Sequence, residues 1–118
     1  MTKQLMRSAI LNVERGPKKG AEFALIEGVN LIGRWDPDKG AFPEVDLEVH
    51  DPEAKVSRRH AIISIEPEGK IIIEDVGSLN GTFINRGERL KPGVKVELKD
   101  GDEIVIGKTF LRLLAVAS

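Results

Sequence analysis

At 118 residues, with 18 Lys+Arg against 19 Asp+Glu and a formal charge of −1, the chain has the size of one ordinary domain and no global attraction for nucleic acid or anionic lipid. It contains no cysteine, which excludes a disulfide framework, a thiol nucleophile and a zinc–thiolate centre. Its apolar runs are too short for a membrane span or a secretory segment, so a cytoplasmic protein is expected.

Glycine occurs 12 times and proline 6 times, set between short runs rich in Ile, Val, Leu and Phe at fairly regular spacing. That pattern reads as an all-β sandwich or barrel. Residues 1–7 are expected to be a flexible tail, and 8–118 a single domain whose first strand covers 8–14. Gly16-Pro17-Lys18-Lys19-Gly20 is a turn by composition, and strands follow over 21–26 and 29–32. The second of these runs into Gly33-Arg34, placing the arginine where the chain leaves the sheet.

From Trp35 to Glu44 two prolines and a glycine interrupt any steady period, which predicts a loop. Val45-Asp46-Leu47-Glu48-Val49 alternates apolar and acidic side chains and is the strand candidate of the interval, followed by a turn in which His50 is expected to be exposed. Asp36, Asp38, Glu44, Asp46, Glu48, Asp51 and Glu53 stand against Lys39 alone, a locally acidic wall. These acids do not make a calcium loop, since Asp36-x-Asp38-x-Gly40 lacks the third early ligand and the glutamate at the twelfth position. Trp35 and Phe42 either pack this long loop onto the domain or form an exposed recognition surface.

Lys55-Val56-Ser57-Arg58-Arg59-His60-Ala61 combines a hydroxyl donor, two planar donor forks and a histidine able to lock the turn from within, directly ahead of an apolar run. Strands are then expected over 61–66 and 70–75, joined by the hairpin signal Pro67-Glu68-Gly69. Ile71 and Ile73 share the core face, and Ile72 must find cover elsewhere. Gly77-Ser78-Leu79-Asn80-Gly81-Thr82 turns into a strand over 82–85. A brief pairing at Arg89-Leu90, a half-solvated strand over 95–99 with Val96 and Leu98 inward, and strands over 103–106 and 109–116 complete the set.

Two catalytic readings are set aside. Ser57 lies three residues before His60, but no acidic residue that would orient the histidine is identifiable. Gly101 to Thr109 looks like a nucleotide phosphate loop, yet it has five residues between its glycines where that motif needs four, and it leads into a strand pattern where a helix is required.

The ordered trio of Gly33-Arg34, Ser57-Arg58-Arg59-His60 and Gly77-Ser78-Leu79-Asn80-Gly81-Thr82 resembles the signature of forkhead-associated (FHA) domains, over about Ile10 to Val116. The resemblance implies a SMAD/FHA-type β-sandwich of about eleven mostly antiparallel strands. It further implies apical loops that bind phosphothreonine peptides in signalling downstream of a Ser/Thr kinase, with no catalysis and no cofactor. Phosphothreonine carries close to two negative charges and three strong acceptor oxygens, which guanidinium groups, hydroxyls and turn amides can meet. By the resemblance, Arg34 and Ser57 contact the phosphate, Arg58 adds a donor, and Arg59 meets a residue following the phosphothreonine. Ser78 and the turn at Leu79 add to the set, and Asn80 bridges the peptide main chain, although Asn-Gly is equally a favoured turn dipeptide. Gly33, His60, Gly81 and Thr82 brace the loops. Two features depart from the family pattern: the interval between the first two motifs is longer than is common, and position 79 is leucine where many members carry a polar residue. The implied partner is a threonine-phosphorylated protein, either a Ser/Thr kinase or its substrate, with neither nucleic acid nor membrane as a ligand. The alternative keeps the fold but makes the chain a phosphorylation-independent scaffold that uses the 35–54 loop or a sheet face.

Overall fold

A computed structural model describes residues 7–117 and forms them into ten strands: β1 Arg7–Val13, β2 Glu22–Ala24, β3 Gly28–Gly33, β4 Val45–Asp46, β5 Arg59–Ile65, β6 Ile71–Asp75, β7 Thr82–Ile84, β8 Val96–Leu98, β9 Glu103–Ile106 and β10 Thr109–Ala117. One sheet runs β2-β1-β10-β9-β7 and the other β4-β3-β5-β6-β8. All pairings are antiparallel except that of β3 with β4.

Side-chain alternation explains why the two sheets close on one another. In β6, Ile71, Ile73 and Asp75 point inward while Ile72 and Glu74 are part-exposed, so Ile72 finds its cover on the outer face beside Ser64 and Glu97. Leu11, Val13, Ile104, Ile106, Leu111 and Leu113 from the first sheet meet Ile32, Val45, Ala61, Ile63, Ile71 and Ile73 from the second, all essentially without solvent contact. Removing each such large side chain from water contributes about 1.5–3 kcal/mol, enough collectively to hold a domain with no covalent staple. Val96 packs against this core and Leu98 is buried in it.

Several sequence expectations are corrected. β1 begins at Arg7, one residue before the expected start, and the tail assigned to residues 1–7 otherwise lies outside the described residues. The Val45–Val49 strand is cut to Val45–Asp46, because the Asp46 carboxylate accepts the Glu48 amide at 3.1 Å and turns the chain into a 3-10 segment, Glu48–His50. Leu47 stays buried and Val49 is exposed. His50 is not a free loop side chain: its ring stands edge-on to Phe23 at 5.5 Å, and its carbonyl accepts the Thr109 hydroxyl. The Arg89–Leu90 strand reduces to an isolated bridge between Phe83 and Arg89, which brings the count from eleven to ten.

The topology gathers three connections at one end of the sandwich. β3 finishes at Gly33, opposite Arg59 where β5 begins, while β6 finishes at Asp75, opposite Ala61. The β3–β4, β4–β5 and β6–β7 connections therefore leave the same edge, bringing together the three motifs singled out in the sequence. Among the described residues no helix is long and apolar enough to cross a membrane.

Candidate functional site

The loops at this end are fixed from behind by buried polar groups. His60, the second residue of β5, has no solvent exposure, and burial pushes its imidazole below its ordinary 6.5, only partly offset by its hydrogen bond to the Gly81 carbonyl. Its Nδ1 accepts the Ser57 amide at 3.0 Å and its Nε2 lies 2.8 Å from the Gly81 carbonyl. A ring that accepts at Nδ1 and donates at Nε2 is the neutral Nε2–H tautomer, so one side chain ties the β4–β5 loop to the β6–β7 loop.

Asp75 does the same for the β6–β7 turn. One carboxylate oxygen accepts the Gly77 and Ser78 amides, both at 2.8 Å, and the other accepts the hydroxyls of Ser78 at 2.6 Å and Thr82 at 2.7 Å. Burial alone would raise this carboxyl, but the hydroxyl and amide donors outweigh it and hold the group below the usual carboxylate range. The Ser78 oxygen in turn accepts the Gly81 amide at 3.0 Å. Gly81 has φ +95, and a Cβ there would meet the Arg89 side chain at 2.9 Å, so both conformation and space require glycine. Arg89 donates to the Ser78 carbonyl at 2.8 Å and to that of Leu79 at 3.1 Å, clamping the turn from outside.

The 51–58 loop is shaped by Asp51, whose buried carboxylate accepts the amides of Lys55 and Val56 at 2.8 and 2.9 Å. Gly33 lets β3 pass against it: a Cβ at that position would lie 1.8 Å from the Arg58 carbonyl oxygen.

In front of this frame lies a cavity of about 190 Å³ lined by Arg34, Ala54, Lys55, Val56, Ser57, Arg58, Leu79 and Asn80. Arg34 is anchored by its amide, which donates to the Arg58 carbonyl at 3.2 Å, and by its Nε, which donates to the Val56 carbonyl. Its terminal nitrogens have no hydrogen-bond acceptor among the described residues. The Ser57 oxygen accepts the Leu79 amide at 3.1 Å, leaving its own proton free to donate. Asn80 donates to the Lys55 carbonyl at 3.1 Å and joins the same two loops at the cavity wall.

Not every residue expected at the site lines this cavity. Ser78 is 6% exposed with its hydroxyl spent on Asp75 and Gly81, so it braces the turn and does not line the cavity. Arg59 reaches sideways to the Gly40 carbonyl at 3.1 Å. Thr82, His60, Gly33 and Gly81 occupy supporting positions. Asp75, Asp51 and Arg89 had no signal in the sequence: a carboxylate ending a strand or an arginine in a turn is ordinary, and each acts on backbone groups identified only once the loops are folded.

The β3–β4 connection is ordered against this site. The amides and carbonyls of Asp36 and Ala41 exchange two hydrogen bonds of 2.9 Å around the 3-10 turn Pro37–Lys39, and Gly40 caps it with left-handed φ. Trp35 and Phe42 flank that bridge and meet edge-on at 5.1 Å, each about half exposed. They pack on one another, and Trp35 is tied to the domain through its amide, which donates to Asp46.

The fold agrees with comparisons to known proteins. The FHA domain family model matches residues 30–107. The chain is 44% identical over 108 residues to an oxoglutarate dehydrogenase inhibitor of Corynebacterium efficiens, covering 92% of this chain and 66% of that protein. It is 40% identical over 101 residues to the glycogen accumulation regulator GarA of Mycobacterium tuberculosis, covering 86% of this chain and 54% of that one. The chain thus spans under two thirds of the length of these relatives. A solved structure of Mycobacterium tuberculosis EmbR with a low-affinity phosphopeptide superposes with a TM-score of 0.72 at 27% identity, over 94% of this chain and 25% of that one. The chain belongs to the FHA family of non-catalytic, phosphothreonine-binding interaction modules.

Proposed function

We propose that the cavity between the three loops is where this FHA module takes the phosphothreonine of a partner, with Arg34 and Ser57 on the phosphate, Arg58 as a further donor and Asn80 on the peptide main chain. The observation that carries this is the convergence of unused donors: the terminal nitrogens of Arg34 and the Ser57 hydroxyl border one concave space. A dianionic phosphate satisfies both groups at once, whereas an unmodified threonine satisfies neither charge nor acceptor count. Leu79, 79% exposed with its amide donating to Ser57 and its carbonyl accepting from Arg89, presents an apolar side chain at the cavity rim.

The partner in this reading is a threonine-phosphorylated protein, a Ser/Thr kinase or its substrate, and the binding is cytoplasmic. We take residues 8–118 as one binding domain. Relatives named for inhibiting oxoglutarate dehydrogenase and regulating glycogen accumulation support a regulatory role, in which docking alters what a partner does. Titration with a degenerate phosphothreonine peptide pool tests the site. Binding is expected to vanish with the matched unmodified pool and to fall sharply in R34A and S57A; equal binding to both pools refutes the reading.

A further inference from the structure

Arg58 is not a free side chain waiting at the rim. Its Nε donates to the Oδ2 of Asp36, 22 residues earlier, across the space between the β4–β5 loop and the short hairpin closed by Asp36 and Ala41 within the β3–β4 connection. Among the described residues its terminal nitrogens have no hydrogen-bond acceptor, and Arg58 lines the cavity. Asp36 itself is not free to wander. Its backbone makes the two bonds to Ala41 that close the hairpin, which is held to β5 a second time by Arg59 on the Gly40 carbonyl. The guanidinium of Arg58 holds the Asp36 carboxyl below its usual range.

From this arrangement we propose that Asp36 is a positioning residue for the ligand: it fixes Arg58 by its Nε and leaves the terminal nitrogens for an incoming phosphate. The inference rests on the phosphothreonine reading of the cavity and adds to it that affinity is set partly by the Asp36–Ala41 hairpin, outside the three loop motifs.

The physical case is one of preorganisation. A free arginine gives up rotamer freedom when it is immobilised on a ligand, worth about two- to tenfold in affinity for a rotamer-rich side chain. One bond from Nε to a carboxylate on a hairpin closed by its own backbone removes most of that freedom beforehand. A guanidinium has five N–H donors, so occupying one with Asp36 leaves a two-pronged edge for phosphate oxygens. The opposing effect is repulsion between the Asp36 carboxylate and the phosphate. Both lie at a solvated rim, where the high dielectric of water weakens that repulsion. For the carboxylate to aid binding despite its sign, preorganisation must exceed this repulsion, and D36A weighs the two directly.

The test uses the whole chain and one phosphothreonine peptide drawn from the degenerate pool by the wild-type protein. D36A is expected to weaken binding about three- to tenfold, while D36N, which keeps an oxygen acceptor for Nε, recovers most of the loss. In a double-mutant cycle, D36A on an R58A background changes affinity little, because the residue that Asp36 acts through is gone. Unchanged or tighter binding by D36A, or losses that simply add, overturns the proposal. The Arg58 Nε–H resonance of the ligand-free protein gives a readout independent of binding: it is protected from exchange in the wild type and loses protection in D36A. If the protein binds no phosphothreonine peptide, the reading of the cavity fails. The exchange experiment then still judges the latch, and an unprotected Nε–H in the wild type rejects it.

Discussion

The two halves of the site are built by opposite rules. Behind the loops, His60, Asp75, Asp51 and Ser78 are buried and their hydrogen-bonding capacity is spent on backbone amides, carbonyls and one another. In front, Arg34, Arg58 and Leu79 lie partly or largely open to solvent with donors or apolar surface in reserve. The first set determines where the loops are; the second determines what they hold. Changes behind the loops should therefore cost folding first and binding as a consequence, whereas changes in front should cost binding at constant stability.

The largest expected effect is at Gly33. Alanine there places a Cβ 1.8 Å from a backbone oxygen of the neighbouring loop, which no rotamer can relieve, so G33A should unfold or lose about 4 kcal/mol or more in urea denaturation. Next is D75A, which strands two amides and two hydroxyls in a buried turn and should cost on the order of 3–4 kcal/mol. R34A breaks the pattern in the other direction: its melting temperature should stay near wild type while phosphothreonine-peptide affinity drops at least about tenfold, the scale of one charge-assisted contact. R59A should be the mildest, shifting affinity by no more than about twofold, since the Arg59 side chain donates to a single carbonyl, that of Gly40.

Acid separates the two halves by titration. His60 has a folded-state value below its ordinary 6.5, so between those two values the unfolded chain binds a proton that the folded chain refuses. Its contribution is complete above pH 6.5 and is lost as the pH falls from there toward the folded value. Asp75 acts lower: its stabilisation is present above its ordinary 3.8 and is lost as pH falls through its depressed folded value. The melting temperature of the ligand-free protein should thus begin to decline below pH 6.5, and this first slope should flatten in H60Q. Peptide affinity should decline over a similar range for a different reason, the second ionisation of the phosphate near a pKa of about 6, and that decline should persist in H60Q.

How much of this was legible in the sequence follows from the reach of each signal. Period-two alternation exposed the strands and their inward faces, as at Ile71 and Ile73, because a strand's geometry is local. It failed at Val45–Val49, where a side-chain carboxylate turned the chain, and at Arg89, where one bridge stands in place of a strand. The family signature exposed the three loops, since their residues are contiguous. It could not reveal that Ser78 turns inward, that Arg89 clamps the turn it follows, or that Asp36 meets Arg58. The Arg89 and Asp36 contacts join positions 10 to 22 residues apart across loops whose course the alternation does not fix, and the Ser78 contacts with Asp75 and Gly81 depend on the burial of that turn.

The central claim, that an open front on a rigid frame selects a phosphorylated threonine, is tested most directly by calorimetric titration of this chain against degenerate phosphothreonine, phosphoserine and unmodified peptide pools. Saturable heat is expected from the phosphothreonine pool, weaker with phosphoserine and absent without phosphate. Equal heat from the unmodified pool, or silence from all three, would contradict it and turn attention to the exposed Trp35–Phe42 pair as a phosphorylation-independent contact.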